Sequence, residues 1–152
     1  MPTHDKLEAG MTVIDQITSY LESQPEPKRT EMKSLHLSIM GLFSDCHLSY
    51  LDGKDGQGRV VTNPNIGYGR QKMVYADGKT RDFYKIGMSA NTSGISIYIM
   101  GLKDKKYLSE KYGPTLGKAK VTGYCIQFRQ VADISREMLM AAIRDGIKLT
   151  QT

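Results

Sequence analysis

The sequence predicts an α+β two-layer sandwich, a mostly antiparallel sheet of about five or six strands with an N-terminal helical hairpin and a C-terminal helix packed on it. Three observations point there. Residues Asp82 to Gly101 read as two strands about a short polar turn, with Ile95, Ile97 and Ile99 alternating against Ser96, Tyr98 and Met100. That period of two belongs to a half-buried strand. The other strand-like runs are joined by short, turn-rich segments, which demand antiparallel pairing. Long helical periodicity is confined to the two ends of the chain, and each such helix must bury its apolar side against another layer.

Taken in order, Thr3 to Glu22 has Leu7, Met11, Ile14, Ile17 and Leu21 at three- and four-residue steps, an amphipathic helix. Either Asp5 with Glu8 or Thr12 with Asp15 could start it. Gln24-Pro25-Glu26-Pro27 stops it, and Pro27 can open a second helix that runs to about Phe43, as its missing N–H costs nothing there. Met32, Leu35, His36, Ile39 and Phe43 share one face of that helix, while Lys28, Lys33 and Ser38 point elsewhere.

Cys46–Leu51 and Arg59–Thr62 read as strands about the turn-rich DGKDGQG. Pro64-Asn65-Ile66-Gly67-Tyr68-Gly69 leads into a strand over Gln71–Tyr75; glycines in a strand-like run imply a bulge or a close approach by another group. Asp77-Gly78 marks a hairpin turn, followed by strands Phe83–Ser89 and Ile95–Met100. Tyr107–Tyr112 is a short helix ended by Gly113-Pro114, and Thr115–Gly123 a Gly/Lys loop. Tyr124–Gln130 is the last strand, and Asp133 caps a final helix with Leu139, Met140, Ile143 and Ile147 on its apolar face. No repeat or boundary divides residues 1–152, which read as a single domain.

With 152 residues, 39% of them apolar, the chain needs no metal or disulfide staple to fold, and no cofactor is implied. The net charge of +5 speaks to solubility and to anionic partners in general. It argues weakly for nucleic acid, because the densest basic run, Lys103 to Lys106, is interrupted by Asp104 and not interleaved with aromatics. Cys46 and Cys125 lie far apart without metal-site spacing, as expected of reduced thiols. The polar start MPTHDKLEAG lacks the apolar core of a signal peptide, and no window approaches the ~20 apolar residues of a membrane span. The expected location is the cytoplasm.

Asp82, Phe83, Ile86, Gly87, Met88 and Ser89, followed after a short turn by Ile95-Ser96-Ile97-Tyr98-Ile99-Met100, match a D-W-x-x-[VI]-G-F-S … L-[TS]-[LI]-Y-[LI]-M pattern. On these residues the chain resembles the YdhG-like domain family, also called domain of unknown function 1801. Pro64 with Ile66-Gly67-Tyr68-Gly69 looks like that family's P-x-I-x-G-[FY]-G segment, one residue shorter, and Gly117-Lys118-Ala119-Lys120 followed by Cys125 like its G-K-x-K…C element. The resemblance spans roughly Asp15 to Ile147. It implies an α+β fold with terminal helices against a sheet and an activity mostly unassigned, although part of the family is described as frataxin-like intracellular iron chaperones. The chain departs from the pattern where Phe83 replaces a tryptophan, Asn91-Thr92 a basic pair, and Gly123 a lysine.

Several chemistries can be weighed against these residues. Iron delivery calls for clustered oxygen ligands, for which Asp5, Glu8, Asp15 and Glu22 on the first helix are the candidates, although four acids on a helix are more often a solvated face. Gly113 to Ala119 has one residue too few for a P-loop and an alanine where Mg²⁺ needs Ser or Thr, which rejects a nucleotidase. His4, His36 and His47 show no metal spacing, and the adjacent Cys46 and His47 would point to opposite sides of a strand. No catalytic constellation emerges, so the expectation is a binding domain and not an enzyme. Its ligand, small and polar or anionic, would sit in a cleft between Gly67, Tyr68 and Gly69, the Tyr98 strand, and Lys118 and Lys120. The alternatives are iron binding and a protein-interaction domain that forms a homodimer through an exposed sheet face.

Overall fold

The computed structural model of the chain describes residues 11–149. Its elements are α1 (Val13–Glu22), α2 (Lys28–Leu42), β1 (Leu48–Leu51), β2 (Asn65–Tyr68), β3 (Gln71–Val74), β4 (Thr80–Phe83), β5 (Ile86–Asn91), β6 (Gly94–Ile99), α3 (Tyr107–Leu116), β7 (Ala119–Val121), β8 (Cys125–Phe128) and α4 (Arg136–Leu149). Six strands make one sheet in the order β1-β2-β5-β6-β8-β7, each pair antiparallel, and β3 and β4 form a separate ribbon. The α+β expectation holds, with a helical hairpin first and a helix last.

All the described helices lie on one face of the sheet. Ile66, Met88, Ile97 and Ile126 stand side by side across β2, β5, β6 and β8, each fully buried beneath Leu35, Ile39, Leu139 and Ile143 of the helices. Thr12 starts α1, its Oγ1 accepting the Asp15 N–H at 3.1 Å, which selects the second of the two start signals. Leu7 and the rest of the expected first turns lie outside the described residues. The buried stripe of α1 is Ile17, Tyr20 and Leu21, with Val13 packed against the core, so Met11 and Ile14, expected in the stripe, are exposed instead. The stripe turns because Tyr20 is drawn inward by a backbone partner described below.

Five local expectations are corrected. Arg59–Thr62 is not a strand; it meets its neighbour at an isolated Lys54–Val60 bridge and through the Val61 and Thr62 N–H groups, which both donate to Gly53 O, while Asp55 gathers the turn by accepting the Gln57 and Arg59 N–H groups. The expected strand Phe83–Ser89 is broken at Tyr84 and Lys85 into β4 and β5. α3 runs through Gly113 and Pro114 to Leu116, because burying Leu108, Tyr112 and Leu116 outweighs the one hydrogen bond that Pro114 cannot donate. It ends at Gly117, whose φ of 105° suits glycine, and the expected loop beyond contains edge strand β7. Finally, Ser135, not Asp133, caps α4, accepting the Met138 N–H at 3.2 Å, while Asp133 sits in a 3-10 turn.

A carboxylate fastens α3 to α4. Asp145 Oδ2 accepts from Tyr107 Oη and Lys111 Nζ, both at 2.9 Å, and from Tyr112 Oη. Burial pushes the Asp145 carboxyl up, but those three donors outweigh it and hold the group below its ordinary value. Tyr112 is pushed up to about 12, by burial first and then by the carboxylate it serves.

Candidate functional site

The six residues expected to line one cleft are divided among three places. Tyr68 faces the helices and is fully buried, its hydroxyl 2.7 Å from His36 Nδ1. Burial pushes the Tyr68 phenol up and the His36 imidazole down, so the pair is held neutral. Tyr98 is on the opposite face, half-buried and stacked beside Tyr124 with ring centroids 6.4 Å apart. Lys118 and Lys120 are exposed at edge strand β7. Three strands separate β7 from β2, roughly 19 Å at normal strand spacing. The period of two turns adjacent side chains to opposite faces, and the strand order, which no local pattern reveals, sends the lysines to the far edge.

Gly67 and Gly69 do mark close approaches, made by side chains of the same chain. A Cβ on Gly67 would meet the Tyr84 ring at 2.7 Å, and one on the neighbouring Gly87 at 2.5 Å, so that ring lies flat on the backbone of β2 and β5. Tyr84 Oη donates to Asn65 Oδ1 at 3.0 Å. At Gly69, with φ of 80°, a Cβ would stand 2.4 Å from the Phe43 ring.

A cavity of about 680 Å³ lies between α1 and the end of β5. Its origin is a mismatch in strand length. β2 begins at Asn65, after a proline with no N–H, whereas β5 continues past the last paired residue, Met88, to Asn91. Tyr20 fills the missing rung: its hydroxyl accepts the Ala90 N–H at 2.8 Å and donates to Pro64 O at 3.3 Å. Ser89 Oγ also donates to Pro64 O, at 2.6 Å. Burial pushes the Tyr20 phenol up, against the lowering effect of the Ala90 N–H. A notch remains beside this repair, floored by Tyr20, Pro64 and Ala90 and flanked by Tyr50, whose ring lies 5.6 Å from that of Tyr20.

Lys28 supplies the charge of this groove. Its ammonium donates to Asn91 O at 2.7 Å, a charge-assisted bond that leaves two of its three donors. The neighbouring acids are engaged elsewhere: Glu26 accepts the Thr30 N–H at 3.0 Å and pairs with Arg29, and Glu22 pairs with Lys33. No carboxylate is among the described residues that line the groove. Tyr50 Oη and the Gln16 amide also line it and make no side-chain hydrogen bond within the described chain. The arrangement offers one anchored cation, neutral donors and acceptors, and aromatic walls.

Lys28 and Tyr50 were missed because their sequence context is unremarkable for binding. One signal was present. A lysine in the first turn of a helix sits at the positive end of the helix dipole, an unfavourable place that calls for a partner, here Asn91 O.

Elsewhere, Cys46 and Cys125 are free thiols flanking opposite sides of the sheet, both pushed up by burial. Among the described residues no group of three or more His, Cys, Asp or Glu is placed to hold a metal ion; Asp5, Glu8 and His4 lie outside them. No helix among them is long and apolar enough to cross a membrane. No family model, curated protein or solved structure matches the chain.

Proposed function

We propose that this chain is a small binding domain that holds a polar or anionic small molecule in the groove between α1 and β5. The observation that carries the reading is Lys28. Its ammonium is anchored on a main-chain carbonyl, faces a cavity of about 680 Å³ and has no carboxylate among the described lining residues. A volume of that size suits a small metabolite, and a fixed cation, the single one among the described lining residues, with neutral amide and phenol groups selects an anion of low charge. The groups on the walls hold a ligand in place; holding, not transforming, is the role their chemistry supports.

The Asp82–Met100 pattern supports reading the chain as a divergent relative of the YdhG-like family. Asn91-Thr92, at the positions of that family's basic pair, lines the same groove. Lys28 would then replace from α2 a cation lost from the strand turn.

The test is a thermal-shift screen of carboxylates, phosphates and sugar phosphates on the purified chain, with any hit titrated against Lys28→Ala and Tyr50→Phe. Losing one charged partner should weaken binding by roughly tenfold or more. A screen without a hit, or hits indifferent to Lys28, would overturn the reading.

A further inference from the structure

A second cavity, about 440 Å³, lies on the sheet face away from the helices. Asn65 and Tyr84 floor it, Leu51, Phe83 and Tyr98 wall it, and Arg81 stands at its rim. Three planar groups are stacked here from the backbone outward. Tyr84 lies on Gly67 and Gly87; Phe83 stacks on Tyr84 with centroids 4.2 Å apart at 29°; and the Arg81 guanidinium carbon sits 5.0 Å from the Phe83 centroid. The contact with Phe83 seats the guanidinium over the ring without consuming its N–H donors.

Those donors have no carboxylate partner among the described residues. Asp82 pairs with Arg70 at 3.7 Å, Asp55 with Arg59 at 3.1 Å, and Asp52, across an adjoining space of about 360 Å³ that Arg81 also lines, accepts the Lys54 N–H at 2.9 Å. No acid is among the described residues lining the cavity itself. Two of the other polar side chains are internally satisfied: Asn65 accepts from Tyr84 and donates to Asn63 O, and Thr62 donates to Asn63 O. The cavity therefore offers a cationic fork set over flat aromatic surface, with the Asn63 amide and the Tyr98 hydroxyl also in its lining. An arginine held in this way matches a carboxylate through two parallel N–H···O bonds.

We infer that this cavity binds a small flat organic anion, a carboxylate carried on an aromatic or conjugated body, with the carboxylate on Arg81 and the body against Phe83, Leu51 and Tyr98. The site is separate from the Lys28 groove and does not rest on it. The column also explains why two successive positions across β2 and β5 are glycine: without the low backbone, Tyr84 could not lie flat and Phe83 would lose the surface that orients it.

The test uses the whole chain and benzoate as probe, with benzamide (the flat body without charge) and acetate (the charge without the body) as controls, followed by amide chemical shifts and by calorimetry. Benzoate should bind saturably and perturb Asn65, Phe83 and Tyr98, and both controls should bind more weakly. Arg81→Gln should weaken benzoate by roughly tenfold or more, and Arg81→Lys, which keeps charge but loses the fork, by less. Arg81 is exposed, so these variants are expected to fold, and unchanged circular dichroism confirms it. Absence of benzoate binding, binding indifferent to Arg81→Gln, or equal binding of benzamide would overturn the site. Benzoate-induced shifts confined to Tyr20, Tyr50 and Asn91, with Phe83 and Tyr98 unmoved, would assign the anion to the Lys28 groove and overturn this site.

Discussion

Strand β6 shows how differently the two faces of the sheet are made. Ile95, Ile97 and Ile99 are sealed beneath the helices at 0% exposure, while Ser96 and Tyr98 look toward a face that no described helix covers. The covered face is filled by branched aliphatic side chains, which gain most from leaving water and pack without needing partners. The other is kept low by glycine and serine: Gly67 and Gly87 admit the Tyr84 ring, and Ser89 and Ser96, although 1% and 3% exposed, are satisfied by Pro64 O and the Asn91 amide. Hydrophobic stabilisation is thus concentrated on one side.

The largest expected effect tests this asymmetry directly. Ile97→Ala should destabilise by about 2–5 kcal/mol through lost burial and a residual cavity, measured from the urea midpoint. Tyr98→Ala, one residue along and half-buried, should cost clearly less. Equal losses would mean that both faces carry the core.

A middle-sized effect concerns the trough on the open face. Gly87→Ala places a methyl 2.5 Å from Tyr84 Cε1 and Cζ, so the ring must lift, at a cost of about 1–3 kcal/mol. With Tyr84→Ala already present, the same substitution should cost much less, and a double-mutant cycle reads the difference. Strict additivity would show that the ring does not lie on the glycines.

The smallest effect belongs to the covered face. Burial holds the His36 imidazole below its ordinary pKa of 6.5. The unfolded chain therefore takes up a proton near that pH while the folded chain does not, so stability is present above about pH 6.5 and is lost as pH falls below it. His36→Asn should remove that slope from unfolding free energies measured between pH 8 and pH 5. A variant with the slope of the parent would place the titration elsewhere.

Much of the fold was legible locally. The α2 face of Met32, Leu35 and Ile39, the alternation in β6, and the Asp77-Gly78 turn each follow from short-range periodicity or backbone preference, and each stands where expected. Errors arose where two local signals competed. Gly113-Pro114 reads as a stop, yet α3 continues because Leu116 has a core position to fill. Tyr84 reads as strand, yet it breaks the run because its ring belongs on the backbone of the neighbouring strands.

The sites were far less legible. Tyr68 and Tyr98 each look like one more tyrosine in a strand; only the register puts one at His36 and the other beside Tyr124. Lys28 meets Asn91 across 63 positions of sequence, and Arg81, Phe83 and Tyr84 become a column only above Gly67 and Gly87. What the sequence by itself determined was which residues are helical, which alternate, and which face of each element is apolar, since these depend on neighbours within a turn or two. The tertiary structure decided the strand order, the overhang of β5 beyond β2, and hence both cavities. Those follow from how separate elements share one core, an energy that no single stretch of the chain contains.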